Sequence, residues 1–239
     1  MTATRIAHFI THADVEIDPA IPVPQWRLSA RGRARHEAFN RHGFVTRITA
    51  VHSSDERKAR DGGEILAGHL GLPVQVVPAL HENDRSATGF LPSPEFEATA
   101  DAFFANPELS IRGWERAIDA QNRIAAAVDA ILAADRSHGD IAIVAHGGVG
   151  TLLLCRLLSA PIDRRHDQAA GGGRRQLFQL RGGDTTAAAG LEADRVLNQL
   201  PPALGRQQRS SIRHAAPEHR GGPVLRARTI VQDWRGTAG

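Results

Sequence analysis

Apolar residues along this chain come in short unbroken runs, without clean alternation with polar ones. The runs "RIAHFIT" (5–11), "ITAVHSS" (48–54), "VQVVP" (74–78) and "DIAIVAHGG" (140–148) are rich in Ile and Val. Their length and composition predict strands with both faces buried. Between them lie longer stretches with helical spacing. Residues 28–43 predict a helix that Ser29 can cap and that stops at Gly43. A second helix, 55–71, is weakened by Gly62 and Gly63. A short helix is predicted at 95–105. A long one at 113–134 carries Trp114, Ile118, Ile124, Val128 and Ile131 on roughly one face. Residues 149–158 predict an apolar helix. The polar stretch 81–94 fits neither period.

Strand and helix therefore alternate. That pattern predicts an α/β fold, a three-layer α/β/α sandwich around a mostly parallel sheet. Ligands of such sheets sit beyond the carboxyl ends of the strands. Polar stretches fall at those ends: "THAD" after the first strand, "SSDERK" after the second, "LHEND" after the third and "AHGG" after the last.

Composition narrows the picture. A chain of 239 residues suits one good-sized core with an appendage. No apolar run approaches the ~18 residues of a membrane span, and the N-terminal stretch lacks the pattern of a signal peptide. A cytoplasmic protein with no membrane partner is expected. The single cysteine, Cys155, lies in the apolar run "TLLLC" and is expected to be buried and inert.

Charge is uneven. From Arg174 onward there are eleven Arg against five acids, a net of +6. The first 173 residues are net negative, which argues against a nucleic-acid face on the main domain. Two regions follow: a domain at 1–173 and an Arg-rich extension at 174–239, partly disordered or divergent. In the extension, 176–180 and 224–234 could form edge strands. The rest either binds an acidic partner or is a divergent end without a role. Of the 29 basic residues only one is Lys, Lys58.

The tripeptide Arg41-His42-Gly43 suggests a phosphohistidine motif, yet it closes a predicted helix and follows no strand. A basic residue, a His and a Gly are ordinary helix-ending chemistry. The better placed His is His12, between Thr11 and Ala13 after the first strand.

Four segments, "FITHADVEID", "SSDERKARDGGEILA", "LHEND" and "IAIVAHGGVGTLLL", stand in that order. Together they resemble the histidine phosphatase superfamily, its phosphoglycerate mutase-like branch, over residues 5 to about 173. The resemblance implies a nucleophile at His12, a proton-donating acid at Glu82 and a second pocket histidine at His146. It places Lys58 where the family has its second phosphate-binding Arg, and the Gly147 N–H near the phosphoryl oxygens. Thr11 stands where the family has its first Arg, and Ala13 where it has Gly. Arg85 is either a surface residue or a guanidinium that swings in to replace a missing one.

Phosphoryl transfer needs an in-line nucleophile, positive charge and donors around the transferred group. An imidazole supplies the nucleophile when its other nitrogen is held by a hydrogen bond. Cationic side chains then stand in for a metal, so no cofactor is expected. His8 with His146 is too small a set for a metal site. Arg164, Arg165 and His166 suggest a solvated turn that could rim the pocket. The expected activity is a slow phosphomonoesterase acting on a small phosphorylated substrate. The rivals are a non-catalytic relative that binds a phosphorylated ligand and a phosphoglycerate-type mutase. The substrate would be set by the loop at 83–112.

Overall fold

The computed structural model describes residues 5–167 and the backbone of two later strands, 177–181 and 226–230. In chain order the strands are β1 (Ile6–Thr11), β2 (Ile48–Ser53), β3 (Val74–Val76), β4 (Asp140–Ala145), β5 (Leu177–Arg181) and β6 (Arg226–Ile230). The longer helices are α1 (Ala30–Phe39), α2 (Arg57–Leu70), α3 (Ser93–Ala105), α4 (Ala117–Ala134) and α5 (Gly147–Leu157). The sheet runs β3-β2-β4-β1-β5-β6. The first four strands in that order are parallel, and β5 and β6 add on antiparallel.

The layers follow from what each strand buries. Ile141, Ile143 and Ala145 of β4 join the core shared with α3, α4 and α5. Ala142 and Val144 join Phe39 of α1 and Leu66 and Ala67 of α2 on the other face. Successive strand residues point to opposite faces, so a strand covered on both sides reads as a continuous apolar run. This is the α/β/α sandwich expected from the alternation of elements.

Several elements differ from the expected spans. Ser29 does cap α1, its Oγ accepting the Gly32 N–H at 3.1 Å. The helix stops at Phe39, earlier than Gly43, because bonds from Arg41 and His42 to Ala38 and Phe39 tighten the chain into a turn. Arg41-His42-Gly43 lies in that turn, with His42 packed on Phe39 and Phe44. Trp114 is not on the face of α4. It precedes the helix, buried beside Phe103, with its indole N–H donating to Thr88 Oγ1 at 2.8 Å. Ile124, Val128 and Ile131 are buried as expected. The segment at 176–180 was expected at an edge, but β5 is flanked by β1 and β6. The residues between β5 and β6 lie outside the described ones. Among the described residues no helix is long and apolar enough to cross a membrane. Cys155 is fully buried, and burial pushes its thiol pKa up, in keeping with an inert role.

Candidate active site

Three neighbouring strands end at one edge of the sheet, and their pairing continues one residue beyond them. The His12 N–H donates to the Ala145 carbonyl and the Ser54 N–H to the Val144 carbonyl, both at 3.0 Å. His146 follows Ala145 directly. The strand order β2-β4-β1 therefore sets His146 between Ser54 and His12. The His12 and His146 rings meet edge to face, with centroids 5.2 Å apart.

His12 is half-buried, and its Nδ1 lies 2.8 Å from the Ala13 carbonyl oxygen. An N–H at Nδ1 makes that bond and leaves Nε2 as the unprotonated nitrogen. Ala13 is held at its other end as well: its N–H donates to His36 Nε2 at 3.1 Å. His36 is buried on α1 and fits there because α2 offers a glycine. A Cβ on Gly62 would come within 2.6 Å of the His36 ring. The glycine that weakens the sequence pattern of α2 thus permits a close approach.

His146 is fully buried, and its Nε2 is 2.9 Å from Ser54 Oγ. Its Nδ1 is buried with no hydrogen-bond partner among the described residues. Burial first, then the charges of Lys58, Arg85, His81 and Arg123, hold its pKa well below the ordinary histidine value. The ring is therefore neutral at neutral pH.

Lys58 is buried near the start of α2. Its Nζ pairs with a carboxylate oxygen of Glu56 and donates to the Val23 carbonyl at 3.1 Å. Glu56 was not singled out in the sequence, although it lies within "SSDERK". Its Oε1 accepts the Glu82 N–H at 2.8 Å and is 3.7 Å from His146 Nε2. Burial works to raise the Glu56 pKa. The charge and hydrogen bond of Lys58, the Glu82 N–H and the charge of Arg85 outweigh it and hold the pKa below the ordinary carboxylate value.

Glu82 is also buried, and its carboxylate reaches the N-terminus of α5. Oε2 accepts the Gly148 N–H, and Oε1 accepts those of Val149 and Asn83. An anion at a helix N-terminus meets unpaired amides and the positive end of the dipole. Arg123 of α4 fixes the loop that carries Glu82. Its guanidinium donates to the carbonyls of Ala79, His81 and Glu82 and pairs with Glu115 at 2.7 Å.

Arg85 is half-buried, with its guanidinium over the rings of Phe96 and Trp114. Its charge reaches both Glu56 and His146. Thr11, the last residue of β1, is buried, and Gly147 is the first residue of α5. The structure thus brings His12, Glu82, His146, Thr11, Lys58, Gly147 and Arg85 to one end of the sheet. A pocket of about 850 Å³ is lined by Glu56, Arg27, Arg57, Arg60, Asp55 and Asp84 and, of the residues gathered there, by Glu82 and Arg85 alone.

Two other groups lie apart. His8 is buried toward the opposite end of the sheet, where its Nε2 is 3.1 Å from Asp140 Oδ2. Among the described residues no three His, Cys, Asp or Glu side chains cluster so as to hold a metal ion. Arg164 is tied to Glu97 and Asp101 of α3 and does not line the pocket. Sequence reasoning missed Ser54, Glu56, His36 and Arg123.

The model of the histidine phosphatase superfamily (branch 1) matches residues 21–189. It begins after β1 and so does not include Thr11 to Ala13. A mycobacterial glucosyl-3-phosphoglycerate phosphatase in complex with VO3 is 25% identical, with a TM-score of 0.61 over 75% of this chain and 92% of that chain. YhfR of Bacillus stearothermophilus is 20% identical, with a TM-score of 0.61 over 73% of this chain and 90% of that chain. A structure described as mycobacterial hydrolase 2 is 23% identical, with a TM-score of 0.61 over 77% of this chain and 84% of that chain. No curated protein matches the sequence.

Proposed function

The chain belongs to the histidine phosphatase superfamily, branch 1, and we propose that it is a metal-independent phosphomonoesterase working through a phosphohistidine on His12. One observation carries this reading: beside His12 stands a neutral, fully buried His146 whose Nδ1 has no partner among the described residues. A Ser54 hydroxyl proton directed at Nε2 places the ring proton on Nδ1. A buried donor without an acceptor costs about 1–3 kcal/mol, a cost that a phosphoryl oxygen at that position removes.

In this reading His12 Nε2 attacks phosphorus and the ester P–O bond breaks. The leaving oxygen takes a proton from Glu82, which gives up one of its amide bonds to carry it. Water, giving a proton back to Glu82, then attacks the phosphohistidine, and the N–P bond breaks to release inorganic phosphate and restore the imidazole. Lys58, Arg85, the Gly147 N–H and the Thr11 hydroxyl face the charge that develops on the phosphoryl oxygens. A neutral donor such as Thr11 supplies less than a guanidinium fork, so turnover is slow. The pocket has the size of a small-ligand site, and the substrate is a small phosphorylated molecule.

A second reading has one observation behind it. The Glu56 carboxylate offsets the positive charge of Lys58, as suits a relative that binds a phosphorylated ligand without turning it over. Release of inorganic phosphate from an aryl phosphate in EDTA separates the two. Steady turnover that disappears in His12→Ala supports the phosphatase. Binding of the ester with no release supports the ligand-binding relative.

A further inference from the structure

Glu56 stands at the centre of the site, and the assigned chemistry leaves it without a role. We propose that Glu56 selects the ionic form of the phosphoryl group: its carboxylate accepts a hydrogen bond from a protonated phosphoryl oxygen, so the site takes the monoanion in preference to the dianion. The proposal rests on the reading of this site as a phosphoryl site.

Position comes first. Glu56 is buried, it lines the pocket, and its Oε1 is 3.7 Å from His146 Nε2. One oxygen takes the Glu82 N–H and the other takes Lys58 Nζ. Each carboxylate oxygen has two acceptor positions, so the group can still accept a further hydrogen bond.

Charge comes second. Lys58 and Arg85 bring positive charge near His146, and the Glu56 carboxylate sits directly against Lys58. His146 is neutral. A dianion entering this set would place an unprotonated oxygen against the Glu56 carboxylate, and like charges at that range repel. A monoanion carries one P–O–H. Its proton turns the same contact into an O–H···O⁻ bond, one of the stronger kinds. Specificity of this sort comes from the wrong ligand's penalty as much as from the right ligand's contact.

The groups facing Glu56 also titrate or carry charge. They are Lys58 on α2, His146 before α5, and Glu82 and Arg85 in the loop after β3. Protonation of the histidines would favour every anion alike. The test therefore compares two anions that differ in their proton. Sulfate remains a dianion across the range in which phosphate, like phosphate esters with a second pKa of about 6, changes from monoanion to dianion.

The full chain is titrated calorimetrically with inorganic phosphate and, separately, with sodium sulfate, at about pH 5.5 and about pH 8. Phosphate should bind more tightly than sulfate at the lower pH, on the order of 10- to 100-fold, as expected for a hydrogen bond to a charged group. The advantage should shrink at the higher pH. Glu56→Gln should tighten sulfate and flatten the phosphate profile. If that variant does not fold, because Lys58 loses its partner, the wild-type ratio decides by itself. Equal affinities with the same pH dependence, or no binding of either anion, overturns the proposal. A phosphate-over-sulfate preference with no trapped phosphohistidine leaves the Glu56 assignment standing and removes the phosphatase. The opposite pair of results does the reverse.

Discussion

Glu82 holds the start of α5 through Gly148: its Oε2 accepts the Gly148 N–H at 3.0 Å. Oε1 accepts the next amide, that of Val149, at 2.9 Å. A Cβ on Gly148 would come within 2.7 Å of the carboxylate, so a larger residue there would push it aside. Glu82→Ala removes a helix cap and should lower stability by about 1 kcal/mol. For a domain of this size that is about 2–4 °C in Tm. If Glu82 also donates the proton, kcat/KM should fall more for alkyl phosphates than for aryl phosphates, whose leaving groups need less help. Thermal melts and kcat/KM for one ester of each kind check both parts. An equal fall for the two esters would leave Glu82 as a cap alone.

Gly62→Ala tests the support behind His12. Alanine is the better helix former by about 1 kcal/mol. At position 62 its methyl group meets the His36 ring, which accepts the Ala13 N–H. Overpacking of this kind costs about 1–3 kcal/mol. The variant should melt lower than wild type and lose turnover, because Ala13, whose carbonyl orients His12, moves. A higher melting temperature with unchanged kcat/KM would show that the ring shifts aside freely.

Arg123 never touches the substrate in this account, yet it positions Glu82 through three backbone carbonyls and the Glu115 carboxylate. Arg123→Ala should lower kcat for alkyl esters more than it raises KM. Arg123→Lys should recover little, since an ammonium group cannot reproduce the fork. The split between kcat and KM, measured with both variants folded, checks this. A change in KM alone would place Arg123 in ground-state binding.

Acid should weaken the fold before it protonates ordinary carboxylates. His52 of β2 is buried, and neither ring nitrogen has a partner among the described residues. Burial, then the charge of Arg5, holds its pKa below the ordinary value, and His146 is shifted in the same direction. The unfolded chain binds these protons more readily, with a pKa of about 6.5. Their contribution is therefore complete above that pH and is lost as the pH falls from there toward the folded values. Glu56 and Asp140 have depressed carboxylate pKa values. Their contribution is present above the unfolded carboxylate pKa of about 4 and lost as the pH falls through the folded values. His52→Leu should raise Tm, and by more at about pH 5 than at about pH 7.5. Parallel wild-type and variant curves of Tm against pH would show that His52 does not carry the effect.

Much of this site is legible in the chain because it lies at strand ends. Runs such as "DIAIVAHGG" mark a strand and where it stops, so His12 and His146 follow from the pattern of apolar residues. Which strands become neighbours does not follow from it. That His146 sits between Ser54 and His12 depends on the order β2-β4-β1, set by pairing across some ninety to a hundred and thirty residues. His36 and Arg123 lie on helices and act through backbone groups distant in sequence, and a lone His or Arg on a helix carries no such signal. Glu56 was visible as one acid in a polar stretch. Its meaning comes from a turn that aims its carboxylate inward at Lys58. The spacing of Trp114 fits a helix face, but Ser110 Oγ donates to its carbonyl and the chain bends there instead.

The proposed reaction requires His12 to carry the phosphoryl group. Rapid quenching after mixing with an aryl phosphate, followed by splitting each sample between acid and base, tests it most directly. The expected result is a phosphorylated chain that is stable in base, is lost in acid and is absent from His12→Ala. An adduct that survives acid, or one still formed by His12→Ala, would contradict it.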